Sequence, residues 1–187
     1  MIVENNNAGW RQIRMQLEQR PRPALVALLK DLYETSAHNR DFLHARFEAG
    51  QDVSPVLEKY RRRIVDVFFP RRGQMGKPRL TEARKAIRDY RKSTGNVAGA
   101  IELMLTYVES GTKFTLEYGD VDEAFYRSLA SVCNEMVAVL LKDGAELYPR
   151  FRTRIQQLSH HADRVGWGYG DYLRETVRSI EMECCGE

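Results

Sequence analysis

The sequence predicts an all-α protein of about eight or nine helices in antiparallel hairpins, forming an irregular bundle or a short superhelical stack. Three observations carry this expectation. Apolar residues recur at three- and four-residue spacing along nearly the whole chain, and strand-like alternation with β-branched residues is nearly absent. Residues that start and stop helices stand between the periodic segments. The two widest apolar arcs, over 96–118 and 122–142, are joined by the short stretch "EYGDVD", which sets the two helices antiparallel.

The elements follow in chain order. After a polar tail over 1–8, residues 8–19 carry Trp10, Ile13 and Leu17 on a first helix. "PRP" at 21–23 breaks it, and Pro23 suits the first turn of the next helix, whose Leu25, Leu28, Leu29 and Leu32 share one side. A short third helix over 37–48 is expected to turn Phe42 and Phe47 inward, with Gly50 as its stop. Ser54 and Pro55 open a fourth helix as cap and first residue. Its Val56, Leu57, Tyr60, Ile64, Val67 and Phe68 share a face, and Pro70 ends it. A fifth helix begins near Thr81 with the stripe Leu80, Ala83, Ile87 and Tyr90. Asn96 caps the sixth helix and Asp122 begins the seventh; each has an apolar arc so wide that it needs neighbours on more than one side. Gly144 ends the seventh, Pro149 begins an eighth that runs to about Arg164, and Tyr169, Leu173, Val177 and Ile180 form the narrow stripe of an outer ninth helix.

With 187 residues the chain suits a single helical domain over 1–187. Hydrophobic residues at 43% and charged residues at 29% mark a globular chain and exclude a disordered one. No apolar run approaches the roughly 18 residues that span a membrane, and "MIVENNNAG" has no secretory-leader pattern, so no membrane partner is expected. Cys133, Cys184 and Cys185 are odd in number and two are adjacent, which argues for a reducing, cytoplasmic setting.

The net charge of +3 hides an asymmetry. Residues 59–92 hold 13 Lys or Arg against 3 acidic residues, a net +10, and the remainder carries −7. Arg61, Arg62, Arg71, Arg72, Lys77, Arg79, Arg84, Lys85 and Arg88 are the candidate contacts for the phosphates of nucleic acid or another polyanion. The competing reading is a solvated basic face paired with carboxylates of the same protein, and Glu102, Glu109 and Glu117 stand out as acceptors. "GQMGKPR" is no phosphate loop: it lacks the four-residue gap between glycines, the Ser or Thr after Lys, and a preceding strand.

Other chemical candidates reduce to structural ones. "EYGDVDE" at 117–123 concentrates carboxylates without calcium-loop spacing, as expected of a helix start where Asp caps free N–H groups. His160 and His161 point about 100° apart on a helix and have no second pair at ligand spacing. Cys184 and Cys185 end a helix, where the dipole disfavours a thiolate. No catalytic residue, metal or cofactor is called for.

"VGWGYGD" at 165–171 raises the question of a ligand loop. It lacks dinucleotide-loop spacing and follows a helix rather than a strand, so it reads as a joint. Gly166 is expected to take the left-handed conformation, Gly168 to allow close backbone approach, and Trp167 to wedge between helices.

Taken together, "FFPRRGQMGKPRLTEARKAI" (68–87), "TYVESGTKFTLEYGDVDEAFYRSL" (106–129) and "GWGYGDYL" (166–173) resemble a family of small bacterial all-helical domains to which no activity is assigned. The likeness runs from about Leu25 to Leu173, and Gly170 departs from it, standing where a larger polar residue would be accepted. "LVALLKDLYETSAHNRDFLHARF" is also similar to helical-hairpin units of bacterial superhelical proteins. The resemblance implies a soluble bacterial protein of stacked helices and assigns no reaction, ligand or catalytic residue. The expectation for function is a non-catalytic helical module that binds a protein partner, the alternative being polyanion binding through 59–92. The pattern leaves the oligomeric state open.

Overall fold

Nine α-helices and no strand form among the residues that the computed structural model describes, namely 5–47, 55–71 and 76–185. The expected all-α architecture is the one observed. By its contacts the chain divides into two compact units, Met1–His44 and Ala45–Glu187.

The first unit contains α1 (Asn5–Glu18), α2 (Arg22–Thr35) and most of α3 (Ala37–Phe47). Helix α1 starts at Asn5, three residues before the expected start at 8. Pro23 sits in the first turn of α2, where its missing N–H costs nothing. Ser36 separates α2 from α3, and its hydroxyl accepts from the Asn39 amide at 3.1 Å. The Asn39 side chain donates to the Leu32 carbonyl at 2.7 Å, and the Tyr33 hydroxyl lies 3.0 Å from His44 Nε2. These polar ties hold a helical hairpin that buries little. No residue of α2 is buried, Phe42 is 36% exposed and Phe47 is 82% exposed. The expectation that both phenylalanines face inward is therefore wrong: five residues apart they point about 140° away from each other on the helix, so one neighbouring surface cannot cover both. Gly50 and Ser54 lie outside the described residues.

The second unit is built on α6 (Val97–Tyr118), which packs against α4 (Pro55–Phe68), α5 (Leu80–Thr94) and α7 (Glu123–Asp143). Asn96 caps α6 by accepting from the Gly99 amide at 3.0 Å, and Asp122 caps α7 by accepting from the Phe125 amide at 2.9 Å, as the sequence predicts. Val56, Tyr60, Ile64 and Phe68 of α4 are buried, as are Ala83, Ile87 and Tyr90 of α5. By length and composition α7 would suffice to cross a membrane. Here its Leu129, Val132, Met136 and Leu140 are buried in the protein core.

Helix α8 is shorter than expected. It covers Tyr148–Gln157 and tightens into a 3₁₀ segment over Leu158–Arg164. Helix α9 (Tyr169–Cys185) lays its predicted stripe against that segment and α7. The Tyr172 hydroxyl reaches the Ala130 carbonyl at 3.0 Å and Asn134 at 2.7 Å. Cys184 packs on the core, while the side chain of Cys185 lies outside the described residues.

The joint at 165–171 is helical punctuation, with its roles distributed differently from the expectation. Trp167 (φ 58°) and Gly168 (φ 69°) take the left-handed conformation, and Gly166 does not. Gly166 and Gly170 supply the close approaches. A Cβ on Gly166 would meet the Asp120 carboxylate, and one on Gly170 would overlap the Ala162 carbonyl oxygen. Trp167 is 60% exposed rather than wedged between helices. The chain is forced through two left-handed residues so that α9 can lie against 158–164, and that geometry turns the indole outward. In urea denaturation, Gly170→Ala should therefore lower stability by about 3 kcal/mol, because the obstacle is backbone. Trp167→Ala should change it by less than about 1 kcal/mol.

Candidate functional site

Among its described residues the basic segment resolves into local pairs and an exposed stripe on α5. Arg61 and Arg62 both donate to Glu58 of their own helix, at 2.6 and 2.8 Å. These hydrogen bonds hold the Glu58 carboxyl down to about 2. Arg71 lies 3.7 Å from Asp66, and Arg79 lies 3.2 Å from Glu82. Lys77 pairs with Asp122, the cap of α7, and lowers its pKa. Arg84 reaches the hydroxyls of Ser128 and Ser131, and Arg91 pairs with Glu135, so two cations of α5 face α7. Lys85, Arg88 and Lys92 are exposed along α5 at a spacing of three and four residues and make no ion pair among the described residues. Arg72 lies outside the described residues.

The acceptors Glu102 and Glu109 are engaged, but by a residue outside the basic segment. Arg154 of α8 donates through Nε and Nη2 to the two oxygens of Glu109 at 2.8 and 2.6 Å, and through Nη1 to Glu102 at 2.7 Å. Burial works against the Arg154 charge, yet its hydrogen bonds to Glu109 and Glu102 outweigh that cost and raise its pKa further. Sequence reasoning singled out the two carboxylates, with Glu117, as acceptors for the basic segment. It missed Arg154 because nothing local links the two helices.

A cleft of about 510 Å³ opens beside this network. Helix α6 lines it with Glu109, Thr112, Lys113 and Leu116, four residues at helical spacing. Across from them stand Arg154, Gln157, Leu158 and His160. His160 thus lines a cleft, and the side chain of its neighbour His161 lies outside the described residues. Among the described residues no group of three or more His, Cys, Asp or Glu could hold a metal ion.

Behind the cleft lies a cluster of tyrosines. The Tyr126 hydroxyl donates to Asp120 and lies against Thr115, both at 2.5 Å. Burial, then the Asp120 carboxylate, pushes the Tyr126 phenol up to about 12. The Tyr169 ring sits 5.4 Å from Tyr126 and 5.9 Å from Tyr172. Burial also pushes the Cys133 thiol up to about 11, which keeps it protonated and unreactive at neutral pH. The carboxylates of 117–123 accordingly serve caps, phenols and ion pairs.

No protein-family model, curated protein or solved structure matches the chain.

Arg154→Ala should leave two half-buried carboxylates without their cation. Partial solvation keeps the penalty below that of a fully buried pair, so a loss of about 2 kcal/mol in chemical denaturation is expected.

Proposed function

We propose that the protein is a non-catalytic helical interaction module whose N-terminal unit presents its docking face to a protein partner. The observation that carries this reading is the exposed apolar surface of that unit. Trp10 and Ile13 on α1 are half exposed or more, and Leu28, Leu29 and Leu32 on α2 are 40–46% exposed. Isolated exposed leucines are ordinary. A hairpin that leaves this many large apolar side chains in water while burying none on α2 gains its stability by covering them.

The double variant Leu28→Glu/Leu32→Glu tests the reading, because no buried side chain of α2 is disturbed. Under mild crosslinking in lysate the wild-type chain should retain specific proteins that the variant loses, with the helical circular dichroism signal unchanged. An identical set captured by both would overturn it.

A second reading, polyanion binding through the basic segment, is favoured by the Lys85, Arg88 and Lys92 stripe on α5. Lysine and arginine on one exposed helix face suit backbone phosphates, and phosphate-driven binding weakens steeply with salt. Under this reading, mixed RNA and DNA bind at low salt and are released by Lys85→Glu/Arg88→Glu. The absence of any mobility shift at low salt removes it.

A further inference from the structure

The cleft between α6 and α8 is within the size range of small-molecule sites. Hydrogen-bond donors dominate its wall. Glu109, the carboxylate among the lining residues, has both oxygens taken by Arg154. Arg154 in turn spends three N–H groups on Glu109 and Glu102, out of about five that a guanidinium offers. Lys113 lies 3.5 Å from Glu117, an exposed pair one helical turn away that holds it weakly, and its ammonium sits 5.3 Å from the centre of the Phe69 ring. Leu116 and Leu158 add apolar surface beside these donors.

A second observation comes from beneath the wall. The Tyr169 hydroxyl is fully buried and makes no hydrogen bond of normal length among the described residues. Thr112 is the polar neighbour of that buried phenol and joins it to the wall of the cleft.

We propose that this cleft binds a small organic carboxylate, with the apolar body on Leu116 and Leu158 and the carboxylate on Lys113 and the remaining N–H groups of Arg154. The site is formed by residues of the second unit, and the proposal does not depend on the docking face of the first. A neutral molecule of the same shape lacks the anionic half, and inorganic phosphate lacks the apolar half.

Hexanoate, hexanol and inorganic phosphate, each titrated into the full chain and followed by amide chemical shifts, test the proposal. Hexanoate should give saturable shifts at Thr112, Lys113, Leu116 and Leu158, with a Kd near about 1 mM for so small a ligand. Hexanol and phosphate should bind at least about tenfold more weakly, the range set by losing one charged contact. Lys113 is exposed, so Lys113→Met leaves the fold intact; it should weaken hexanoate to a similar degree, and Lys113→Arg should restore binding. The proposal is overturned if hexanoate gives no saturable shift, if hexanol binds equally well, or if Lys113→Met binds hexanoate like the wild type.

Discussion

The enclosure of α6 is the constraint on which the second unit depends. Its Ile101, Leu103, Met104, Leu105, Tyr107 and Val108 are buried in almost unbroken succession, so neighbours must cover most of its circumference. Helices α4, α5 and α7 meet that requirement. The polar residues caught inside are satisfied locally: Thr106 and Thr112 return their hydroxyl protons to carbonyls one turn back, at 2.8 and 2.9 Å. The charged residues on the remaining arc, Glu102 and Glu109, are closed off by Arg154 from α8. A helix with one polar strip and a core everywhere else allows its last neighbour to approach only if that neighbour brings a cation.

The first unit obeys the opposite logic. Its α2 and α3 are joined by side-chain hydrogen bonds to backbone and a Tyr33–His44 contact rather than by a shared core. Polar ties of this kind fix a hairpin's geometry but contribute little net stability in water. The contrast between a unit built around an enclosed helix and one that leaves its leucines in solvent separates a scaffold from a surface.

The charge asymmetry of the chain has a local resolution. Of the cations in 59–92, several neutralise carboxylates of their own helix, and Lys77, Arg84 and Arg91 reach across to α7. The segment's large formal charge therefore leaves a smaller effective one, concentrated where Lys85, Arg88 and Lys92 face outward. Sequence counts overstate such fields because pairing depends on which helices become neighbours.

Elements and caps were legible in the sequence because their causes are local. Asn96 and Asp122 cap helices through amides three residues away, and a stripe of period 3.6 identifies a face wherever the helix finally sits. The candidate site was legible only in halves: Glu102 and Glu109, with Glu117, as acceptors expected to pair with the basic segment, His160 as half of a histidine pair. What the fold alone decided was adjacency. Arg154 meets α6 from 45 and 52 positions away in the chain. Phe42 and Phe47 are left exposed, and the "VGWGYGD" joint takes its left-handed turn at Trp167 and Gly168 while Gly170 lies against the Ala162 carbonyl. Local hydrogen bonding and side-chain periodicity act over a few residues and are written in the chain. Enclosure, ion pairing and backbone approach act between elements, and only their packing decides them.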